Sequence, residues 1–105
     1  MDNKTKSVLV SDVKIVGNIT EKGSIIIDGE VNGNIDAELV ETFKNSHIKG
    51  NIKSKRTFIG GKLKGDINSY SVHIRKTADV DGTIKQKTLS IEEGSLLTIK
   101  TEIKK

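Results

Sequence analysis

Cysteine, proline and tryptophan are absent from the 105 residues, and aromatic side chains make up only 3% of them. Without cysteine there is neither a disulfide nor thiolate chemistry, which suits a reducing compartment. Without proline every backbone N–H can donate, so a continuous hydrogen-bonded ladder is open to any stretch of chain. Phe43, Phe58 and Tyr70 are the only aromatics and 33% of residues are hydrophobic, too little to fill a sandwich or bundle core of ordinary width. A narrow core of Val, Ile and Leu is still affordable. No apolar run reaches the ~18 residues of a membrane-spanning helix, and the N-terminus lacks the apolar segment of a signal peptide. A cytoplasmic location is therefore the expectation. Low apolar content with 30% charged residues would suit a disordered chain, but Ile and Val recur at fixed intervals between charges of both signs, which points to a folded one.

The recurrence is a motif. Lys14-Ile15-Val16-Gly17-Asn18-Ile19 returns as Glu30-Val31-Asn32-Gly33-Asn34-Ile35, His47-Ile48-Lys49-Gly50-Asn51-Ile52, Lys62-Leu63-Lys64-Gly65-Asp66-Ile67 and Asp79-Val80-Asp81-Gly82-Thr83-Ile84. Its glycines are 16, 17, 15 and 17 residues apart, shorter than helical repeat units and suited to one solenoid turn. Each turn carries a second apolar segment: Ile25 and Ile27, Val40 with Phe43, Phe58, Val72 and Ile74, Leu89 and Ile91. The stretch 38–44 allows two registers, with Val40 or Leu39 inward. Small residues, Gly29, Ser46, Gly61 and Ala78, stand four positions before the motif glycines, where a tight corner would exclude a larger side chain. Spacing-two β-branched residues argue for strands and against helices.

The predicted fold is all-β: a parallel β-helix with three short strands per turn and about six turns of 15–17 residues. Residues 1–7 read as a disordered arm, 8–99 as the β-helix and 100–105 as a short charged tail. Ile15, Val31, Ile48, Leu63 and Val80 should stack as one interior column and Ile19, Ile35, Ile52, Ile67 and Ile84 as another. Asn18, Asn34 and Asn51 should stack as an amide ladder.

Catalytic and cofactor signatures fail on inspection. His47 and His73 flank or separate inward aliphatics and should point outward. Placing Gly82 as a calcium-loop glycine puts Thr77 and Thr88 where carboxylates are required. Gly60-Gly61-Lys62-Leu63 lacks the Ser/Thr of a phosphate loop, and Arg56 stands where its first glycine belongs. No cofactor, metal or enzymatic activity is expected. The cluster Lys49, Lys53, Lys55, Arg56, Lys62 and Lys64 suggests a basic stripe, but acids are interspersed and aromatics for base stacking are few, so nucleic acid is not an expected partner.

The repeated aliphatic-x-Gly-x-Ile unit, the leading Val8-Leu9-Val10 segment, Ile27-Asp28-Gly29-Glu30-Val31-Asn32-Gly33 and the closing Leu89-Ser90-Ile91-Glu92-Glu93-Gly94 together resemble the bactofilin family over about Val8 to Ile99. The resemblance implies a right-handed, triangular β-helix that polymerises through its ends without a nucleotide. It also implies a scaffold for cell-wall synthesis or remodelling proteins, often at the inner membrane through an N-terminal tail. Lys4 and Lys6 are the candidate membrane or anion contacts in this chain. A solenoid has an open edge at each end, so Val8, Val10, Val13 and Ile15 at one end, and Leu96, Leu97 and Ile99 at the other, are the expected polymer contacts. The alternative is a non-polymeric β-helical adaptor with a basic face for a protein or anionic surface.

Overall fold

A computed structural model describes the backbone of residues 7–103 and the side chains from Lys14 onward. Twelve strands follow one another: β1 (Ser7–Val16), β2 (Ile19–Thr20), β3 (Ser24–Asn32), β4 (Ile35–Asp36), β5 (Leu39–Thr42), β6 (His47–Lys49), β7 (Ile52–Ile59), β8 (Lys62–Lys64), β9 (Ile67–Ile74), β10 (Asp79–Gln86), β11 (Thr88–Ile91) and β12 (Leu96–Ile103). Each is paired in parallel with strands one turn away, as in Val31 beside Ile48, Ile48 beside Leu63 and Leu63 beside Val80. The result is a three-faced parallel β-solenoid. Each face carries six rungs, so five turns separate the first rung from the last.

The first face is built by residues just before each motif glycine, the second by those just after it, and the third by the remaining apolar segments. The unequal repeat lengths are absorbed at corners. Between the third and first faces the chain spends two residues at 28–29 and 60–61, but four at 43–46, 75–78 and 92–95. The short corner Gly60-Gly61 lies in the slot between two longer ones. A Cβ on Gly60 would fall 2.7 Å from the Thr42 carbonyl oxygen, and one on Gly61 would collide with Ser46 and Phe43.

The expected interior columns are present. Val31, Ile48, Leu63 and Val80 are buried on the first face, and Ile35, Ile52, Ile67 and Ile84 on the second. Full burial of each is worth about 1.5–3 kcal/mol, which lets aliphatic columns offset ordering entropy without aromatics. On the third face Val40 turns inward, resolving the 38–44 register, but the partners differ from expectation. Thr42, Thr57 and Ile59 are buried, whereas Phe43 and Phe58 point outward. Strand alternation explains this: Phe43 shares its face with Glu41, and Phe58 with Arg56, so burying either aromatic would bury a charge. The inward hydroxyls are satisfied internally. Thr42 Oγ1 accepts from Gly60 N at 3.0 Å, and Ser54 Oγ shares a hydrogen bond with Thr57 Oγ1.

The asparagine column forms a ladder of a different kind from stacked amides. Asn34 N donates to Asn18 Oδ1 at 3.1 Å, Asn51 N to Asn34 Oδ1 at 3.1 Å, Asp66 N to Asn51 Oδ1 at 3.2 Å and Thr83 N to Asp66 Oδ1 at 3.2 Å. Only an acceptor oxygen is needed, so Asp66 serves as well as asparagine. Asn51→Ala removes the acceptor for one exposed backbone N–H, which water then takes over. The expected loss is about 0.5–1.5 kcal/mol, read as a lower urea midpoint at unchanged slope; an unchanged midpoint would deny the ladder a stabilising role.

Candidate assembly surfaces

Among the described residues, each end of the solenoid differs from the interior turns in having a neighbouring turn on one side only. At the N-terminal end β1 pairs only with β3, and β2 only with β4; at the C-terminal end β11 pairs only with β9, and β12 only with β10. Each of these strands presents a row of ladder groups to whatever lies beyond. Among the described residues no helix covers either end.

The interior columns run out half-covered. Ile15 and Ile19 at one end, and Leu89, Leu97 and Ile99 at the other, pack against the core yet remain partly exposed, while interior members of the columns that end in Ile15, Ile19, Leu89 and Leu97 are at most 2% exposed. Ile15 and Leu97 thus cap opposite ends of a single column. The structure adds Ile19, Leu89 and Ile103 to the set expected from sequence; the register shows them to be terminal members of their columns. Leu96, 66% exposed, stands on the outer first face at the end of the rod. Val8, Val10 and Val13 lie within β1, but their side chains are outside the described residues, as are Lys4 and Lys6 altogether.

The ends are also unlike each other. Gly17 keeps the left-handed φ of the interior glycines, +129°, and a Cβ there would meet nothing within 4 Å. At the opposite end Ile99 pairs with Gly82, so the glycine column closes on an isoleucine that packs against the core.

The outer faces carry satisfied surface chemistry. Arg75 donates to Glu41 Oε2 at 2.9 Å and lies 5.5 Å from the centre of the Phe58 ring, which in turn is 5.7 Å from that of His73. This packing shelters the outward Phe58. His73 Nε2 is 3.1 Å from Glu92 Oε2, and the Lys76 N–H donates to Glu92 Oε1 at 3.1 Å. The His73 hydrogen bond first, and the Lys76 amide second, hold the Glu92 carboxyl below its ordinary pKa. His47 is exposed and, among the described residues, no group of His, Asp and Glu has the arrangement of a metal site. The basic cluster is divided: Lys49, Lys62 and Lys64 lie on the first face, Lys53 on the second, Lys55 at the corner leading into the third and Arg56 on the third itself. No helix among the described residues is long and apolar enough to cross a membrane.

Comparison with known proteins agrees with this architecture. A family model described as bactofilin, polymer-forming cytoskeletal, matches residues 7–102. The chain is similar to a Thermus thermophilus bactofilin solved by cryo-EM in double helical filaments, with 22% identity and a TM-score of 0.84 over 92% of this chain and 99% of that one. It is also similar to the cytoskeletal bactofilin BacA solved by solid-state NMR, with 26% identity and a TM-score of 0.85 over 94% of this chain and 97% of that one. No curated protein matches the chain.

Proposed function

The chain belongs to the bactofilin family of polymer-forming cytoskeletal proteins, and from that footing we propose that it is a non-enzymatic scaffold whose copies join end to end into nonpolar filaments without a nucleotide. The carrying observation is the pair of ends, uncapped among the described residues, each with open parallel ladders and half-covered aliphatic columns. Covering the remaining halves of Leu89, Leu97 and Ile99 on two facing copies contributes about 5 kcal/mol. Ladder hydrogen bonds add about 0.5–1.5 kcal/mol each. Together these exceed the lower part of the ~4–15 kcal/mol cost of association, so stacking needs no phosphoryl energy. The closure of the glycine column at Ile99 supports like-with-like contacts: joining Gly17 to that end would not continue the interior corner.

In the cell such filaments would lie in the cytoplasm and organise cell-wall synthesis or remodelling proteins at the inner membrane. Lys4 and Lys6 supply about 1 kcal/mol each near an anionic surface, too little for one copy and enough when a polymer repeats them. The division of the basic cluster among separate faces weighs against a non-polymeric adaptor with one basic face. Purified protein is expected to pellet equally with and without ATP or GTP. A monomer that persists at high concentration in sedimentation would contradict the proposal.

A further inference from the structure

On the first face the interior rungs point only polar side chains outward, Glu30, Lys49 and Asp79 among them. Both terminal rungs point an apolar one outward: Val16, 75% exposed, at one end and Leu96, 66% exposed, at the other. Their surroundings differ. The charge beside Val16 is already matched, because Lys14 pairs with Glu30. Leu96 lies directly beside Asp79, and Thr98 beside Asp81. Among the described residues neither aspartate enters an ion pair. Lys62 and Lys64 follow one rung further in and confine the acidic band to a single rung. In one copy this rim is an isolated leucine beside two carboxylates, too small to hold a partner.

Stacking changes that. The chain climbs one rung per turn, so each end of the rod is a ramp with a single step. At the C-terminal end the step lies between the second and third faces, where Ile103 of β12 stands beyond Gln86 and β11 pairs on one side only. Two such ends mate without a gap only about a two-fold axis that passes through the step. The axis leaves the rod at Leu97, in the middle of the first face, and brings first face beside first face in antiparallel order. Leu96 and Thr98 of one copy then adjoin Thr98 and Leu96 of the second, with an Asp79–Asp81 rung flanking this patch on both sides.

We infer that this joint is a docking site that exists only in the polymer, taken by a short extended segment of a partner protein with an apolar side chain between basic ones. The two aspartate rungs stand three rung spacings apart, about 14 Å, which an extended segment covers in about four residues. Basic side chains at that interval meet carboxylates at both flanks, while the apolar one between them covers the leucines. The same four carboxylates repel nucleic acid and an anionic bilayer. With six rungs in each copy, joints of this kind recur about every 58 Å, so partners with several such segments are held by many weak contacts. The inference rests on the like-with-like end contact proposed above and supplies the chemistry of what the filament gathers.

The test is fluorescence anisotropy with a fluorescein-labelled pentapeptide in which glycines join a central leucine to an arginine at each end. Filaments of the full chain should bind it, and should bind the analogue with serine for leucine about tenfold less tightly. Leu97→Lys protein keeps Leu96, Asp79 and Asp81 but forms no C-terminal joint, and should bind at least about tenfold less tightly than filaments. Asp79→Asn with Asp81→Asn should leave filaments in negative stain and remove the preference for arginine over glutamate at the peptide's ends. A benzophenone in place of the central leucine should label residues 96–98 on illumination. Absence of binding by filaments, equal binding by Leu97→Lys protein, indifference to the aspartates, or labelling elsewhere would overturn the inference and leave end-to-end assembly standing. Absence of filaments from the unsubstituted protein would overturn end-to-end assembly and this inference with it.

Discussion

Gly65→Ala is expected to abolish the folded state, whereas Gly17→Ala leaves a folded protein. Both glycines occupy the left-handed region, with φ of +141° and +129°, so an alanine at either is strained by about 1–3 kcal/mol. What separates them is space. A Cβ on Gly65 would sit far inside contact distance of the Gly50 carbonyl oxygen, while one on Gly17 meets no atom within 4 Å. The crowded backbone has no freedom to yield, because Gly50 N is bonded to Lys64 O and Gly65 N to Asp81 O, both at 2.9 Å. Separating the turns at one corner would pull on adjoining ladders. Against a total stability of about 5–15 kcal/mol for a domain, strain plus that overlap removes most or all of it. Far-UV circular dichroism with urea titration reads both variants. Equal losses at the two positions would show that backbone conformation, and not the contact between stacked turns, accounts for the glycine column.

Leu97→Lys is expected to remove filaments with little effect on folding. Leu97 ends the column of Val31, Ile48, Leu63 and Val80 and is only partly buried, so in a single copy the ammonium can reach water along the open end. In a stacked end it would be desolvated without a partner, at a cost of several kcal/mol. The size of the surviving species also reads polarity. Like-with-like assembly leaves dimers joined through their N-terminal ends, whereas head-to-tail assembly leaves monomers. Sedimentation velocity distinguishes these, and filaments of normal length would remove Leu97 from the contact.

Much of this was legible because one rule, period-two alternation repeated at a near-constant interval, fixes both the solenoid and its main columns. Ile35, Ile52, Ile67 and Ile84 fell into place from spacing alone. Hydrophobicity misled where it was used without alternation. Phe43 and Phe58 looked like core residues, yet Glu41 and Arg56 two positions away share their faces, and Thr42, Thr57 and Ile59 take the interior instead. The hydroxyl bonds that make Thr42 acceptable inside depend on Phe58 and Gly60, 16 and 18 residues away, and become visible only in register, whereas Thr57 is served by Ser54 three residues before it. The basic cluster looked continuous in sequence because a turn is short, but a corner at each motif glycine sends Lys49 and Lys53 to different faces. Ile19, Leu89 and Ile103 gain meaning as end residues only once the terminal rung of each column is known.

Electron microscopy of the purified protein in buffer without nucleotide tests the central claim most directly. The uncapped ladders and half-covered columns should produce unbranched filaments whose ends look alike. A field of separate particles about the size of one chain, at concentrations where sedimentation also shows a monomer, would contradict it.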